Sequence, residues 1–173
     1  MQVYHGSPEH FETFDYHKIG IQGTTEGFGF YFTDTKRVAE GYAQRGFIHT
    51  AEWLGRKSLS QEHLTIDRNQ FREYLIELDK QTDYLSNWGE VAFEGLESVL
   101  SRAIEGEYDS SLNDVELVAG VIQSSGDTET CLTLLYQMFE YDSIVCDAEW
   151  GGTQTLYIAL VHDAYQMLLA EKI

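Results

Sequence analysis

The chain has 173 residues, 29 acidic against 11 basic, a formal net charge of −18 and a hydrophobic fraction of 43%. That length suits one domain with a real core, and the composition excludes wholesale disorder. The acidic balance speaks against nucleic-acid and anionic-lipid partners, which need clustered cations, and no basic stripe with interleaved aromatics offsets it. Cys131 and Cys146 form neither a zinc spacing nor a disulfide framework, so no metal is expected and a reducing compartment is. The N-terminus lacks a secretory progression and no apolar run reaches membrane-spanning length, so a soluble, cytoplasmic protein without a membrane partner is expected.

In chain order, "MQVYHG" is apolar and β-prone and is stopped by Gly6-Ser7-Pro8, which predicts a short opening strand. Residues 11–27 mix aromatics, glycines and polar residues without period and read as a loop. "GFGFYFT" predicts a strand, after which Asp34 or Thr35 can cap a helix with Val38, Ala39, Tyr42 and Ala43 on one face. Asp67 caps a helix striped by Phe71, Leu75 and Leu78. Residues 89–106 repeat that pattern with Phe93, Leu96, Leu100 and Ala103, and a weaker helix spans Asn113 to Gln123. Asp127 or Thr128 opens a helix that turns Cys131, Leu134, Leu135 and Met138 inward. "YDSIVCD" and "TQTLYIALV" are β-prone runs about a turn at Trp150-Gly151-Gly152, and the last residues suit a short helix. The chain reads as a single α+β domain, 1–173. Strands from both ends meet in one sheet, and a helical insertion over approximately 65–125 lies outside it.

Two stretches are not ordinary core sequence. "YHGS" sets His5 beside Gly6 at a strand end, and "GFGFYFT" sets four aromatics among glycines, with Tyr42 eleven residues beyond Tyr31. Each residue alone has a structural explanation: a strand-end histidine, strand-core aromatics, a helix-packing tyrosine. Together, and with "YDSIV" before a late strand, they resemble the ADP-ribosyltransferases of the His-Tyr-Glu class, which includes diphtheria toxin and the poly(ADP-ribose) polymerases. The likeness is nearest to compact bacterial and phage forms, such as those within phage polyvalent proteins. It covers the first ~45 residues and, more loosely, the last ~35.

The resemblance implies a split β-sheet core around an NAD cleft. It also implies NAD as co-substrate, without a metal, and mono-ADP-ribosyl transfer to a macromolecule, a protein target, with release of nicotinamide. For a phage-encoded toxin or effector the setting is the bacterial host cytoplasm. It gives His5 the ribose hydroxyls, Gly6 the nicotinamide carboxamide through its backbone, and Tyr31 and Tyr42 the walls of the nicotinamide pocket. Ser7 adds a hydroxyl, and Gly27 and Gly29 let the loop bend around the pocket.

The sequence departs from the family at the third catalytic position, a glutamate on the late strand. Leu156 stands immediately before "YIAL"; the nearest polar candidate on the run is Gln154, flanked by Thr153 and Thr155 and on the same strand face as Leu156. Catalytic roles therefore fall to Gln154, His5 and Tyr31, with Glu149 in reserve. An NAD glycohydrolase stays open as an alternative, because the same pocket serves when water replaces the acceptor. A glutamine offers neither anionic stabilisation nor a general base, which keeps open a catalytically inactive NAD-binding or protein-interaction module of the same fold. RNA 2′-phosphotransferases share the fold broadly, but the charge argues against an RNA substrate.

Overall fold

The computed structural model describes residues 1–19, 27–86, 95–148 and 154–173, and the chain divides into two compact units. The first joins Met1–Leu59 to Tyr141–Ile173, and the second is Ser60–Glu140.

The first unit carries six described strands, β1 (Gln2–Ser7), β2 (Phe30–Thr33), β3 (Phe47–Trp53), β4 (Ser143–Ala148), β5 (Gln154–Ala159) and β6 (Tyr165–Lys172), with helix α1 (Lys36–Ala43). They form one antiparallel sheet in the order β4-β5-β2-β1-β3-β6, so strands from both ends of the chain interleave as expected of an α+β fold. β1 pairs with β3 along its whole length, from Gln2 opposite Glu52 to Ser7 opposite Phe47. β2 pairs fully with β5, from Phe30 opposite Ala159 to Thr33 opposite Leu156. β1 and β2, by contrast, are in register only at Tyr4 and Thr33. Beyond that pair the sheet opens.

Strand alternation gives this sheet two different faces. Tyr4 packs with Ala39 and Ala43 of α1 and with Ile48, so even-numbered residues of β1 lie under the helix. The approach is close because Gly6 has no side chain: a Cβ there would lie 1.8 Å from the Ala39 carbonyl oxygen. On the other face an aromatic layer lies in place of an α-helix among the described residues. Phe14 stacks on Phe30 at 4.7 Å and meets Phe32 and Tyr165 edge-on, while Phe11 stacks on His49 at 3.9 Å. Such pairs add roughly 0.5–1.5 kcal/mol each beyond their burial.

Two elements differ from the sequence-based expectation. β3 was not legible because it lacks alternation: Ile48 to Ala51 are all buried, α1 lying over one face and aromatics over the other. The chain end forms β6, not a short helix, because β3 offers it a free edge to pair with from Phe47 to Trp53. A register shift at Thr50/Ala51 breaks β6's period-2 pattern and leaves Leu168 and Leu169 about half exposed, so "MLLA" suits a helix equally well in sequence.

The second unit holds α2 (Arg68–Thr82), α3 (Leu96–Glu107), α4 (Asp114–Ser125) and α5 (Thr128–Phe139). Capping boxes at Asp67 with Gln70 and Asn113 with Glu116 start α2 and α4, each typically stabilising by about 1 kcal/mol. The stripes Phe71-Leu75-Leu78 and Cys131-Leu134-Leu135 are buried as periodicity requires. Leu96 is a correction: at the first position of α3 it is 39% exposed, and Val99, Leu100 and Ala103 form the buried stripe. Phe93 and the turn at residues 150–152 lie outside the described residues.

Candidate active site

The site is built at the opening between β1 and β2. Hydrogen-bond phase decides what lines it. The Trp53 N–H donates to the Met1 carbonyl at 2.8 Å, which makes odd-numbered residues of β1 the hydrogen-bonded partners of β3. Tyr4 and Gly6 therefore direct their N–H and C=O groups to the opposite side. Tyr4 meets Thr33 there. No β2 residue is in register with Gly6, so its N–H and C=O face the opening. The close approach of α1 is by itself enough to require glycine at position 6.

On β2, the Asp34 N–H reaches the Thr155 carbonyl, which places the backbone groups of Tyr31 on the β1 side. In a continued ladder Tyr31 would pair with Gly6. Instead His5 Nδ1 donates to the Tyr31 carbonyl at 2.7 Å. A carbonyl only accepts, so Nδ1 carries the proton. Burial pushes the His5 pKa down to about 4, outweighing the Tyr31 bond that raises it, with His49 lowering it further. At neutral pH the imidazole is uncharged, with Nε2 a lone-pair acceptor. Phe14 at 4.7 Å and Phe11 at 5.5 Å meet the ring edge-on and hold it.

Tyr31 projects to the α1 face, and its hydroxyl donates to the Gly27 carbonyl at 2.7 Å. Gly27 and Gly29 have φ of 135° and 133°, backbone that favours glycine, and this bends the loop onto Tyr31. Tyr42 lies near the end of α1 and is 41% exposed, whereas Ala39 and Ala43 take the buried positions of that helix. Ser7 Oγ accepts the Glu9 N–H at 3.1 Å, closing the turn after β1.

Gln154, the first residue of β5, is 4% exposed, and Thr33 Oγ1 donates to its Oε1 at 2.8 Å. The same Thr33 oxygen accepts the Thr35 N–H at 3.0 Å, where α1 begins. His5, Gly6 and Tyr31 thus border one opening, with His5 reaching across from the aromatic face. Gln154 shares the α1 face with Tyr31 but stands at the other end of β2, against Thr33. Glu149 lies outside the described residues.

Sequence reasoning missed two polar groups here. Thr33 stood in the quoted motif, two residues from Tyr31 and hence on the same strand face. His49 gave no signal; it is fully buried opposite His5, and its Nδ1 has no hydrogen-bond partner among the described residues. Among the described residues no three or more His, Cys, Asp or Glu are grouped to hold a metal, and no helix is long and apolar enough to cross a membrane.

Residues 1–160 match the family described as ADP-ribosyltransferase in polyvalent proteins. Searches of curated proteins and of solved structures gave no significant match. The family match runs from β1 through the end of β5 and takes in every residue of the opening, leaving only β6 and its preceding turn beyond it. The chain therefore belongs to the ADP-ribosyltransferases, in the family found in polyvalent proteins.

Proposed function

We propose that the chain is a mono-ADP-ribosyltransferase that uses NAD and modifies a protein. The observation that carries this reading is the His5–Tyr31 bond, because it does two things at once. It keeps the β1–β2 opening from closing into a ladder, and it commits Nδ1 so that Nε2 is the atom left to accept a ribose hydroxyl. The Gly6 N–H and C=O, one donor and one acceptor side by side, complement the C=O and NH2 of a carboxamide. Tyr31 and the exposed ring of Tyr42 supply aromatic faces for the nicotinamide.

In the reaction the bond from the nicotinamide nitrogen to the ribose carbon breaks, and its electron pair leaves with neutral nicotinamide. The acceptor's lone pair forms the new bond to that carbon, and the acceptor proton passes to solvent. The site's tasks are to orient the leaving ring and hold the ribose. Gln154, in the place of the family glutamate, holds the ribose without supplying charge, so transition-state stabilisation by an anion is missing. The residues are taken to act as one domain with the helical unit inserted. A reducing, cytoplasmic setting is part of the same reading.

The test measures nicotinamide released from NAD, with and without protein acceptors, by wild type and Gln154→Glu. Release that depends on acceptor supports transfer; release without acceptor makes the protein a glycohydrolase. A gain of ~10-fold or more in Gln154→Glu is expected from the restored carboxylate. Binding of NAD with no release by either protein would leave an NAD-binding module, and no binding at all would end the reading.

A further inference from the structure

We propose that the uncovered part of the sheet's aromatic face, over β4 and β5, docks an arginine-bearing segment of a partner protein. The inference does not rest on the NAD reading.

Antiparallel register sorts this part of the face into three cross-strand rows. Phe30, Ala159 and Ser143 form the first, and Phe32, Tyr157 and Val145 the second. The Asp34 N–H reaches the Thr155 carbonyl, and Thr155 stands opposite Asp147, so these three residues form the third. The chain that follows β3 roofs the first row. A Cβ at Gly55 would lie 2.5 Å from Trp53 Cζ2 and 3.1 Å from Ser143 Oγ, and the Leu59 N–H donates to the Ser143 carbonyl at 2.8 Å. The roof stops there. In the other two rows Val145 is 41% exposed, and Asp34 and Asp147 are exposed at either side of Thr155. Trp53 leans on Tyr157, with ring centroids 5.3 Å apart at 61°, and walls one side of the open rows.

These rows combine apolar and aromatic surface with unneutralised negative charge. Asp34 accepts the Thr35 hydroxyl at 2.9 Å and Asp147 the Thr155 hydroxyl at 3.2 Å. Neither carboxylate is paired with a cation among the described residues. Both act on the ring between them: burial raises the Tyr157 pKa, and Asp34 and then Asp147 raise it further. At strand spacing the two acids stand roughly 10 Å apart across Thr155. An arginine laid over Thr155 would stack its planar guanidinium on Tyr157, turn its N–H groups to the carboxylates and rest its methylene stem on Val145. A second copy of the chain is a poor occupant, because it brings its own charge of −18 to the same acids.

The probe is a short glycine–serine peptide carrying two arginines, titrated at low salt into isotope-labelled protein and followed by NMR. The control peptide carries citrulline, the neutral isostere, in their place. Arginine peptide should shift the Trp53 indole N–H and the amides of Thr155 and Tyr157, and citrulline peptide should not. Asp34→Asn/Asp147→Asn should weaken the binding ~10-fold. Glu105→Gln/Glu129→Gln removes the same charge from exposed positions of the helical unit and should leave the affinity unchanged. Equal weakening in both double variants, shifts scattered over the molecule, or equal binding of the citrulline peptide would overturn the proposal. So would a dimer in sedimentation whose contacts protect Thr155 and Tyr157, which would give this face to a second copy.

Discussion

His5 and Tyr31 stand on neighbouring strands that are not paired at their level, yet the His5 imidazole donates to the Tyr31 carbonyl at 2.7 Å and takes the place of a ladder bond. One side chain thus satisfies β2's free carbonyl while leaving the Gly6 backbone facing the opening. His5→Ala should cost ~1–2 kcal/mol of stability from the uncapped carbonyl, read by urea unfolding. Loss of a hydrogen bond to the ribose should weaken NAD binding ~10-fold, read by calorimetry. Unchanged affinity in a folded variant would remove His5 from the site.

Acid should loosen this face. In the folded chain the His5 pKa is depressed to about 4, and burial also lowers that of His49, whereas unfolded histidine titrates near 6.5. Below that value the unfolded chain binds protons that the native chain refuses. Stability is therefore full above pH 6.5 and falls as pH drops towards 4, by up to ~3 kcal/mol for His5. Urea midpoints should decline between pH 7 and 5, and less steeply in His5→Gln; identical slopes would contradict the assignment.

Gly6 and Gly41 predict opposite outcomes for one substitution. An alanine Cβ at Gly6 would sit 1.8 Å from the Ala39 carbonyl oxygen, a backbone atom that cannot swing aside. Gly6→Ala should cost ~3 kcal/mol or more and unseat α1. At Gly41, within α1, a Cβ meets nothing within 4 Å, so Gly41→Ala should stabilise by up to ~1 kcal/mol. Thermal melting of both variants checks the pair.

Tyr42 separates binding from folding. With 41% of its surface exposed it contributes little to the core, so Tyr42→Ala should leave the melting temperature nearly unchanged. Loss of a stacking ring should nevertheless weaken NAD binding by ~1–3 kcal/mol. A large loss of stability with affinity intact would make Tyr42 a packing residue.

In the helical unit, Asp114 is fully buried and accepts from the Ser60, Thr65 and Ile66 N–H groups and the Thr65 hydroxyl. Asp114→Asn turns an NH2 group onto donors and should cost ~2–3 kcal/mol, measured by urea unfolding. Asp142 does the same for the Arg56 and Lys57 N–H groups in the first unit.

The sequence by itself determined those elements whose signals are local. Asp67, Asn113 and Asp127 announced helix starts because a cap and its first turn are only a few residues apart. β1, β2, β4 and β5 were legible from β-prone runs bounded by breakers, and the family resemblance from the spacing of His5, Gly6, Tyr31 and Tyr42. Tertiary structure alone decided the rest. β3 and β6 exist through each other: burial on both faces erased the period of one, and an irregular edge register erased that of the other. The hydrogen-bond phase that turns the Gly6 backbone to the opening depends on pairing with residues 40 to 50 positions away, from Ser7 opposite Phe47 to Gln2 opposite Glu52. Thr33 looked like the tail of a motif until β5 brought Gln154, 121 positions on, to within 2.8 Å of its hydroxyl. Local chemistry is written in short spacings, whereas the direction in which a backbone group or an amide faces is set by contacts that only the folded sheet creates.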